Sequence, residues 1–518
     1  MTYGRAAWLA AAAAALVYLP SLRNGFALDD GAIVERNPAA HSVAVAVGAF
    51  DRSYWPAQNG AGQWRPLVIL SFAVDWQVSR GSTVWLHAAN VAWHAAATGL
   101  LVLVLVPYVS AGAALAGGVL FAVHPVHVEA VANLVGRAEM MAACFLFLAI
   151  LAGRKIRARL TERRAAWPWE LGLLLAVTAA LLSKEHAAIA VALLALDDLA
   201  LPGDGGRRHL PWRDYASVAG LTVAWFFFRR PIDAGQSFAT VAPTFFELGA
   251  AGRIDTMLPV VFVLIRLLAW PFDLYPDYGP QLVPRLEHFT GLAAAGLLLL
   301  LAVAALALVS WRRCRALAVG LCLIGVAWLP TANLLFPTGV VIAERTLYLA
   351  SAGAVLCAAA GFEWLATRFD LRRAGAAAAA VALAFAVRTE AQIPVWRSNR
   401  DLVLWALDQH PESYREHEVA ARALVRMGDL TSALHEYAFA VELYPLDPYA
   451  LAEAASAAID AGRLPLARDY LARAARLDLR DTVARRLVAG VALRADSALA
   501  ARVATGDRAA KPARRRVH

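Results

Sequence analysis

Two adjacent carboxylates, Asp29 and Asp30, stand in the stretch Phe26-Ala-Leu-Asp-Asp-Gly31, a few residues past the end of the first apolar run. Ionisable residues at membrane depth are expensive and are functional suspects by default. A carboxylate within hydrogen-bond reach of a hydroxyl can take its proton, so the pair has the chemistry of a general base. Cations recur at comparable places: Arg65 in Trp64-Arg-Pro66, Arg137, Lys184 in Ser183-Lys-Glu-His186, and Arg345 in Ala343-Glu-Arg345. Positioned cations stabilise the charge that develops on a departing phosphate. Base and cations together fit a transferase that uses a lipid phosphate. The same charges could line a translocation path, or the pair could be an ordinary solvated loop. A transporter would place charge at the bilayer midplane and show paired repeats or broken helices. Here the charges gather at one interface, and the apolar part has no internal repeat.

The elements that must position these residues are membrane helices. Of 518 residues, 60% are hydrophobic and 17% charged, against roughly 25% charged in ordinary soluble domains. Apolar runs fall at about 6–22, 85–106, 108–123, 128–152, 169–184, 186–201, 214–229, 289–311, 315–334, 344–366 and 373–391. A further run at 257–272 carries Arg266 in its middle and ends in Trp270-Pro271. Arg5 places the N-terminus in the cytoplasm. The basic runs at Arg154–Arg159, Arg163-Arg164, Arg207-Arg208, Arg312–Arg315 and Arg368–Arg373 all fall on the same side only if 257–272 does not cross. The expectation is eleven crossings, with the C-terminus outside. The net charge of +9 therefore belongs to membrane topology and excludes nucleic acid as the partner. Many of the 16 Trp residues lie near segment ends, as an interfacial belt requires. An N-terminal signal is possible, but no clean cleavage site precedes the Asp pair, so the first run reads as a retained helix.

This topology puts every unusual polar turn on one face. His124-Pro-Val-His127-Val-Glu129 is the turn between the third and fourth runs, and Glu129, Asn133 and Arg137 are spaced four apart, as one face of a helix. His124, His127 and Glu129 could be read as metal ligands, but no closed ligand set is visible, so a hydrogen-bonded turn is expected and no metal site is predicted. Cys144, Cys314, Cys322 and Cys357 show no ligand spacing and are silent on redox compartment.

After about residue 395 charge rises and spanning runs disappear. Gly428 and Gly462 lie 34 residues apart, as do Ala433 and Ala467, Ala440 and Ala474, Tyr437 and Leu471, and Pro411 and Pro445. That is the tetratricopeptide (TPR) period. Helices at about 398–410 and 482–503 cap two clear repeats. Such arrays bind extended peptide, or serve as packing modules. The expected organisation is 1–395 for the membrane domain, with outer loops at 23–84 and 230–288, then 396–505 for the repeats. A basic disordered tail is expected at 506–518.

The chain resembles the transmembrane and TPR O-mannosyltransferase-like proteins of the GT-C glycosyltransferase superfamily. The resemblance is carried by FALDDGAIVERNP, WRPLVILSF, LHAANVAWH, LFAVHPVHVEAVANLVGRAEMMA, LLSKEHA, LPTANLLFPTGVVIAERTLYLASAG and the repeats, in the family's order and over nearly the whole chain. It implies an all-α GT-C membrane bundle with its site at the extracytoplasmic face. It also implies inverting transfer of a sugar, mannose in the best-known members, from a polyprenyl-phosphate sugar to a protein. The family pattern makes Asp29-Asp30 the acidic motif, with one of the two as base. Arg137 and Arg345, with Lys184 third, are candidates to hold the lipid phosphate. His124, His127 and Glu129 are candidates to shape the pocket or touch the sugar, and Arg65, Glu185 and Glu344 join that binding set. No cofactor beyond the lipid-phosphate co-substrate is required. The acceptor protein or peptide would meet the repeats. The repeat array is shorter than in animal members. The Ala/Arg-rich, Lys-poor composition points to a bacterial inner membrane with the TPR domain outside. A scaffold without catalysis and a lipid-linked sugar transporter are the alternatives.

Overall fold

The computed structural model describes residues 1–509 apart from 49, 57–62, 202–210, 235–241, 247, 478, 480 and 481. The described residues form helices and turns with no strand, an all-α integral membrane protein. Arg207-Arg208 and residues 510–518 of the expected tail lie outside the described residues. The last helix, Thr482–Ala509, runs past the expected tail boundary at 505.

Among the described residues six helices are long and apolar enough to cross a membrane: Tyr3–Arg23, Thr83–Leu105, Leu134–Thr161, Gly291–Arg313, Glu344–Arg368 and Leu371–Arg397. A seventh is possible if Ala111–Ala122 and Pro125–Ala132, bent by 49°, count as one. The other expected runs are shorter or more polar helices, among them Trp167–Leu181, Ala190–Ala200 and Arg315–Trp328. The Val260–Ala269 helix has 10 residues, about 15 Å at 1.5 Å per residue and half of a hydrocarbon core. Its Arg266 turns aside to Asp273 at 3.0 Å.

Helices in lipid gain little from hydrophobicity against each other, so they associate through small residues that let backbones close. A methyl group at Gly320 would meet Gly353 O at 2.6 Å, and one at Gly353 would meet Gly320 O at 2.4 Å. The Arg315–Trp328 and Tyr348–Arg368 helices cross at that pair. Ala6, Ala10 and Ala14 are buried where the first helix packs on Thr83–Leu105 and Ala111–Ala122. The Leu134–Thr161 span is the centre of the bundle, with 83% of its apolar window buried.

One expectation fails here. Glu129, Asn133 and Arg137 do not share a helix face. The helix Val128–Ala132 stops at Asn133, whose backbone is extended (φ −90°, ψ 130°). A 3-10 turn, Leu134–Gly136, precedes the next helix, Arg137–Thr161. Gly136 is required at the bend, because a Cβ there would lie 2.2 Å from Ala130 O.

Beyond the last span, the Asn399–Gln409 helix leads into the hairpins Tyr414–Met427/Leu430–Leu443 and Pro448–Asp460/Leu464–Ala475. Gly428 and Gly462 take positive φ, at 83° and 70°, just past the first helix of each hairpin, the left-handed geometry glycine tolerates. Ala433, Ala440, Ala467 and Ala474 are fully buried at the helix crossings.

Candidate functional site

The Asp29-Asp30 turn begins at Leu28, whose φ is +46°. A side-chain-bearing residue in that region costs roughly 1–2 kcal/mol and persists where the surroundings over-determine it. Here the surroundings do so. Leu28 N–H donates to Asn399 Oδ1 at 2.6 Å, Gly25 N–H to Arg397 O at 2.9 Å, and His87 Nε2 to Gly25 O at 3.0 Å.

The two carboxylates have different surroundings. Asp30 is fully buried and accepts backbone N–H groups from Ala27 and Leu134, both at 3.2 Å, and from Val135 at 2.9 Å. Burial pushes its carboxyl up to about 7, against the lowering pull of those N–H donors. Asp29 is only half-buried, and its carboxylate has no hydrogen bond or ion pair among the described residues.

Two of the three N–H groups that Asp30 takes, those of Leu134 and Val135, belong to the helix break. Broken backbone at membrane depth is tolerated only where its polar groups are satisfied by protein. Asp30 takes the free N–H groups. Asn90 Nδ2 donates to the carbonyls of Val131, Asn133 and Leu134 at 3.2–3.3 Å. Asn90 Oδ1 in turn accepts from Arg137 Nε at 2.7 Å.

The cations fall into two groups. Arg137 is fully enclosed; its guanidinium donates to Asn90, to Asp75 Oδ2 at 2.5 Å and to Leu86 O at 3.0 Å, and lies 4.2 Å over the Phe72 ring. It latches the Pro66–Ser79 helix to the bundle and presents nothing to a ligand, so the expectation that it holds the lipid phosphate does not fit its position. Arg65, Lys184 and Arg345 are held differently. Arg65 makes a forked pair with Glu185, Nε–Oε2 3.1 Å and Nη2–Oε2 2.9 Å. Burial raises the Glu185 carboxyl, but Arg65 and then Lys184 more than reverse this and leave it at about 2. Lys184 Nζ and His186 Nδ1 lie 2.7 and 3.2 Å from the two oxygens of Glu139, near contacts that are not aligned as hydrogen bonds. Arg345 is bound by Glu129, whose Oε2 accepts its backbone N–H at 2.8 Å and whose Oε1 pairs with its guanidinium.

These groups share one neighbourhood. Arg345 feels Asp29 and Glu139 as well as Glu129. Lys184 feels Arg65 and Arg345. Tyr54, whose hydroxyl burial pushes up, feels Arg65, Asp29, Asp30 and Glu185 together, and its ring lies 4.9 Å from the Arg65 guanidinium. One unpartnered carboxylate, Asp29, thus lies within electrostatic reach of Arg345, whose charge in turn reaches Lys184.

Three further expected site residues lie elsewhere. His124 and His127 are buried in the bundle: His124 Nε2 donates to Leu268 O at 3.2 Å, and His127 Nε2 is bonded to Ser351 Oγ at 2.7 Å. They form the bend before Val128, and their partners are Leu268, Ser351 and neighbouring rings. Glu344 accepts Tyr275 N–H at 2.7 Å and Tyr278 O–H at 2.8 Å, holding the 270–278 loop. Among the described residues no three His, Cys, Asp or Glu side chains gather as a metal-binding group. Asp75, Asn90, Glu139 and Tyr54 were not singled out from the sequence. Asn90 and Glu139 lie inside the distinctive stretches LHAANVAWH and VGRAEMMA, which was the available signal.

Protein O-mannosyl-transferase F38B6.6 of Caenorhabditis elegans is 26% identical over 447 residues, 83% of this chain and 61% of its own. Protein O-mannosyl-transferase TMTC3 of Mus musculus is 24% identical over 465 residues, 84% of this chain and 50% of its own. The chain is similar along most of its length to the TMTC proteins. Protein O-mannosyl-transferase Tmtc2 of Drosophila melanogaster is 32% identical over a shorter stretch, 52% of this chain and 30% of its own. The chain thus spans about half the length of the TMTC relatives that it matches along most of its sequence. No family model and no solved structure matches it.

Proposed function

We propose that the chain is a membrane glycosyltransferase of the inverting GT-C type. It moves a sugar from a polyprenyl-phosphate donor to a protein hydroxyl at the extracytoplasmic face. The relatives named protein O-mannosyl-transferases support mannose as the sugar and protein as the acceptor. The single observation that carries the reading is Asp29: an unpaired, half-buried carboxylate on a strained turn, within electrostatic reach of Arg345.

In this mechanism Asp29 takes the proton of the acceptor hydroxyl. The oxygen attacks the anomeric carbon from the side opposite the phosphate. The new C–O bond forms as the bond to the phosphate oxygen breaks, and the electron pair leaves with the phosphate. Arg345, with Lys184 and Arg65 beside it, stabilises that charge; removing one such electrostatic contact typically costs about 10²–10³ in rate. Glu129, Glu139 and Glu185 keep the cations from collapsing onto Asp29 and hold them charged. Asp30 closes the helix break and touches no reactant. The repeats offer the acceptor a groove of about 390 Å³ between Pro448–Asp460 and Thr482–Ala509, lined by Glu453, Ser456, Arg486 and Arg494.

The test is Asp29→Asn in purified protein with a polyprenyl-phosphate mannose and a peptide acceptor. Transfer falls by at least about 10² while the folded yield stays that of the parent. Wild-type transfer by Asp29→Asn overturns the reading, and movement of labelled donor across proteoliposomes without product points to a transporter instead.

A further inference from the structure

The Asn399–Gln409 helix touches the candidate site at both ends. At its start, Asn399 Oδ1 accepts the N–H of Leu28, the residue of positive φ immediately before Asp29. The preceding turn reinforces this contact: Arg397 O accepts Gly25 N–H at 2.9 Å, and Ile393 O accepts Asn24 Nδ2 at 3.2 Å. At its end, the His410 ring stacks on the Tyr275 ring, with centroids 3.8 Å apart and planes tilted 32°. Tyr275 N–H donates to Glu344, the residue immediately before Arg345, and Tyr278 O–H binds the same oxygen. Leu402, Val403 and Ala406 bury the helix between these contacts. Eleven residues make a rod of about 16 Å.

We propose that this helix is a strut that fixes Asp29 relative to Arg345. Asn399 is the positioning residue for the acid, and His410, through Tyr275 and Glu344, the positioning residue for the cation. The proposal rests on the function proposed above. A turn with a left-handed leucine has a relaxed alternative, and loss of the Asn399 acceptor removes the contact that opposes it. Misplacement of a reacting group by about 1 Å can cost 10² in rate. The first repeat begins four residues after His410, at Tyr414, so the strut leads into the repeats through a short turn.

The experiment compares Asn399→Ala, Asn399→Asp, His410→Ala and His410→Phe in the full chain, with Arg400→Ala, an exposed neighbour, as control. Asn399→Ala lowers kcat by about 10- to 100-fold with donor KM within about twofold, because the cations are untouched. Asn399→Asp, which keeps an acceptor oxygen, recovers most of the rate. His410→Ala raises donor KM, and His410→Phe, which keeps the stack, restores it. Amide exchange quickens at residues 27–32 in Asn399→Ala and at 343–347 in His410→Ala. If Asp29→Asn is inactive while Asn399→Ala and His410→Ala keep parental kcat and KM, the strut is wrong. If Asp29→Asn is fully active, the base assignment falls, and exchange alone decides: parental exchange in both alanine variants overturns the strut. Should Asn399→Ala not fold, His410→Ala against His410→Phe carries the same decision.

Discussion

Glu129 holds Arg345 by two different groups at once, its backbone N–H and its guanidinium. The acid is nearly sealed while the arginine keeps part of its side chain open, 2% against 24% exposed. The pair therefore works as a buried anchor with an exposed head.

Arg345→Ala is expected to weaken donor use strongly, with kcat/KM down by about 10²–10³. Glu129→Gln keeps an acceptor for the backbone N–H but drops the charge. It should give a smaller loss, seen mainly as a raised donor KM in steady-state kinetics with a short-chain polyprenyl-phosphate sugar.

Arg137 behaves oppositely. Asp75→Asn or Arg137→Met breaks a buried pair and strands its partner, which costs about 3–5 kcal/mol. Thermal unfolding in detergent should show a large drop in Tm. The donor KM of the protein that does fold should match the parent. A selective change in donor KM would return Arg137 to the binding set.

Asp30 should give the protein a pH-dependent stability. Its folded carboxyl sits at about 7, above the roughly 3.9 of an unfolded aspartate. The folded state binds the proton more tightly, so this contribution is fully present below about pH 4 and is lost as pH rises through about 7. Tm measured from pH 4 to 8 should fall across that window in the parent. Asp30→Asn should flatten that slope. An unchanged slope in Asp30→Asn contradicts the assignment.

Gly136→Ala places a methyl group against the Ala130 carbonyl at 2.2 Å. Neither side can move, since Asp30 and Asn90 hold the same bend. Overpacking of this kind costs about 1–3 kcal/mol or more, and folded yield and Tm should both fall. Parental Tm would mean that the break at Asn133 is loose.

The acidic pair, the repeat period and the membrane class were legible in the sequence because each rests on local pattern. The division of labour within the pair was not. Asp30 is set apart by Leu134 and Val135, 104 and 105 residues away, and no local feature of Asp29-Asp30-Gly31 reports them. The helix break was invisible for a related reason. Asn133 carries no proline or glycine signal of its own, and its extended backbone is stable only because Asn90 supplies donors from another helix. The spacing of Glu129, Asn133 and Arg137 therefore suggested a stripe that tertiary bonds had dissolved. Arg137 and Arg345 looked alike as charges in apolar stretches; only their partners, Asp75 and Glu129, separate a latch from an exposed anchor. The count of eleven crossings came from apolar runs and the placement of basic clusters; among the described residues six helices, or seven with the bent pair, are long and apolar enough to cross, and the other runs form shorter or more polar helices.

The Leu28–Asn399 hydrogen bond joins positions 371 residues apart. During synthesis the acidic turn enters the membrane early, while its acceptor is translated only after the last span. Until then His87 and the N–H groups bound by Asp30 fix the ends of the turn, while the N–H of Leu28 itself lacks its acceptor. The last contact of the acidic turn is therefore made only when the connecting helix is complete, as the repeats start to emerge.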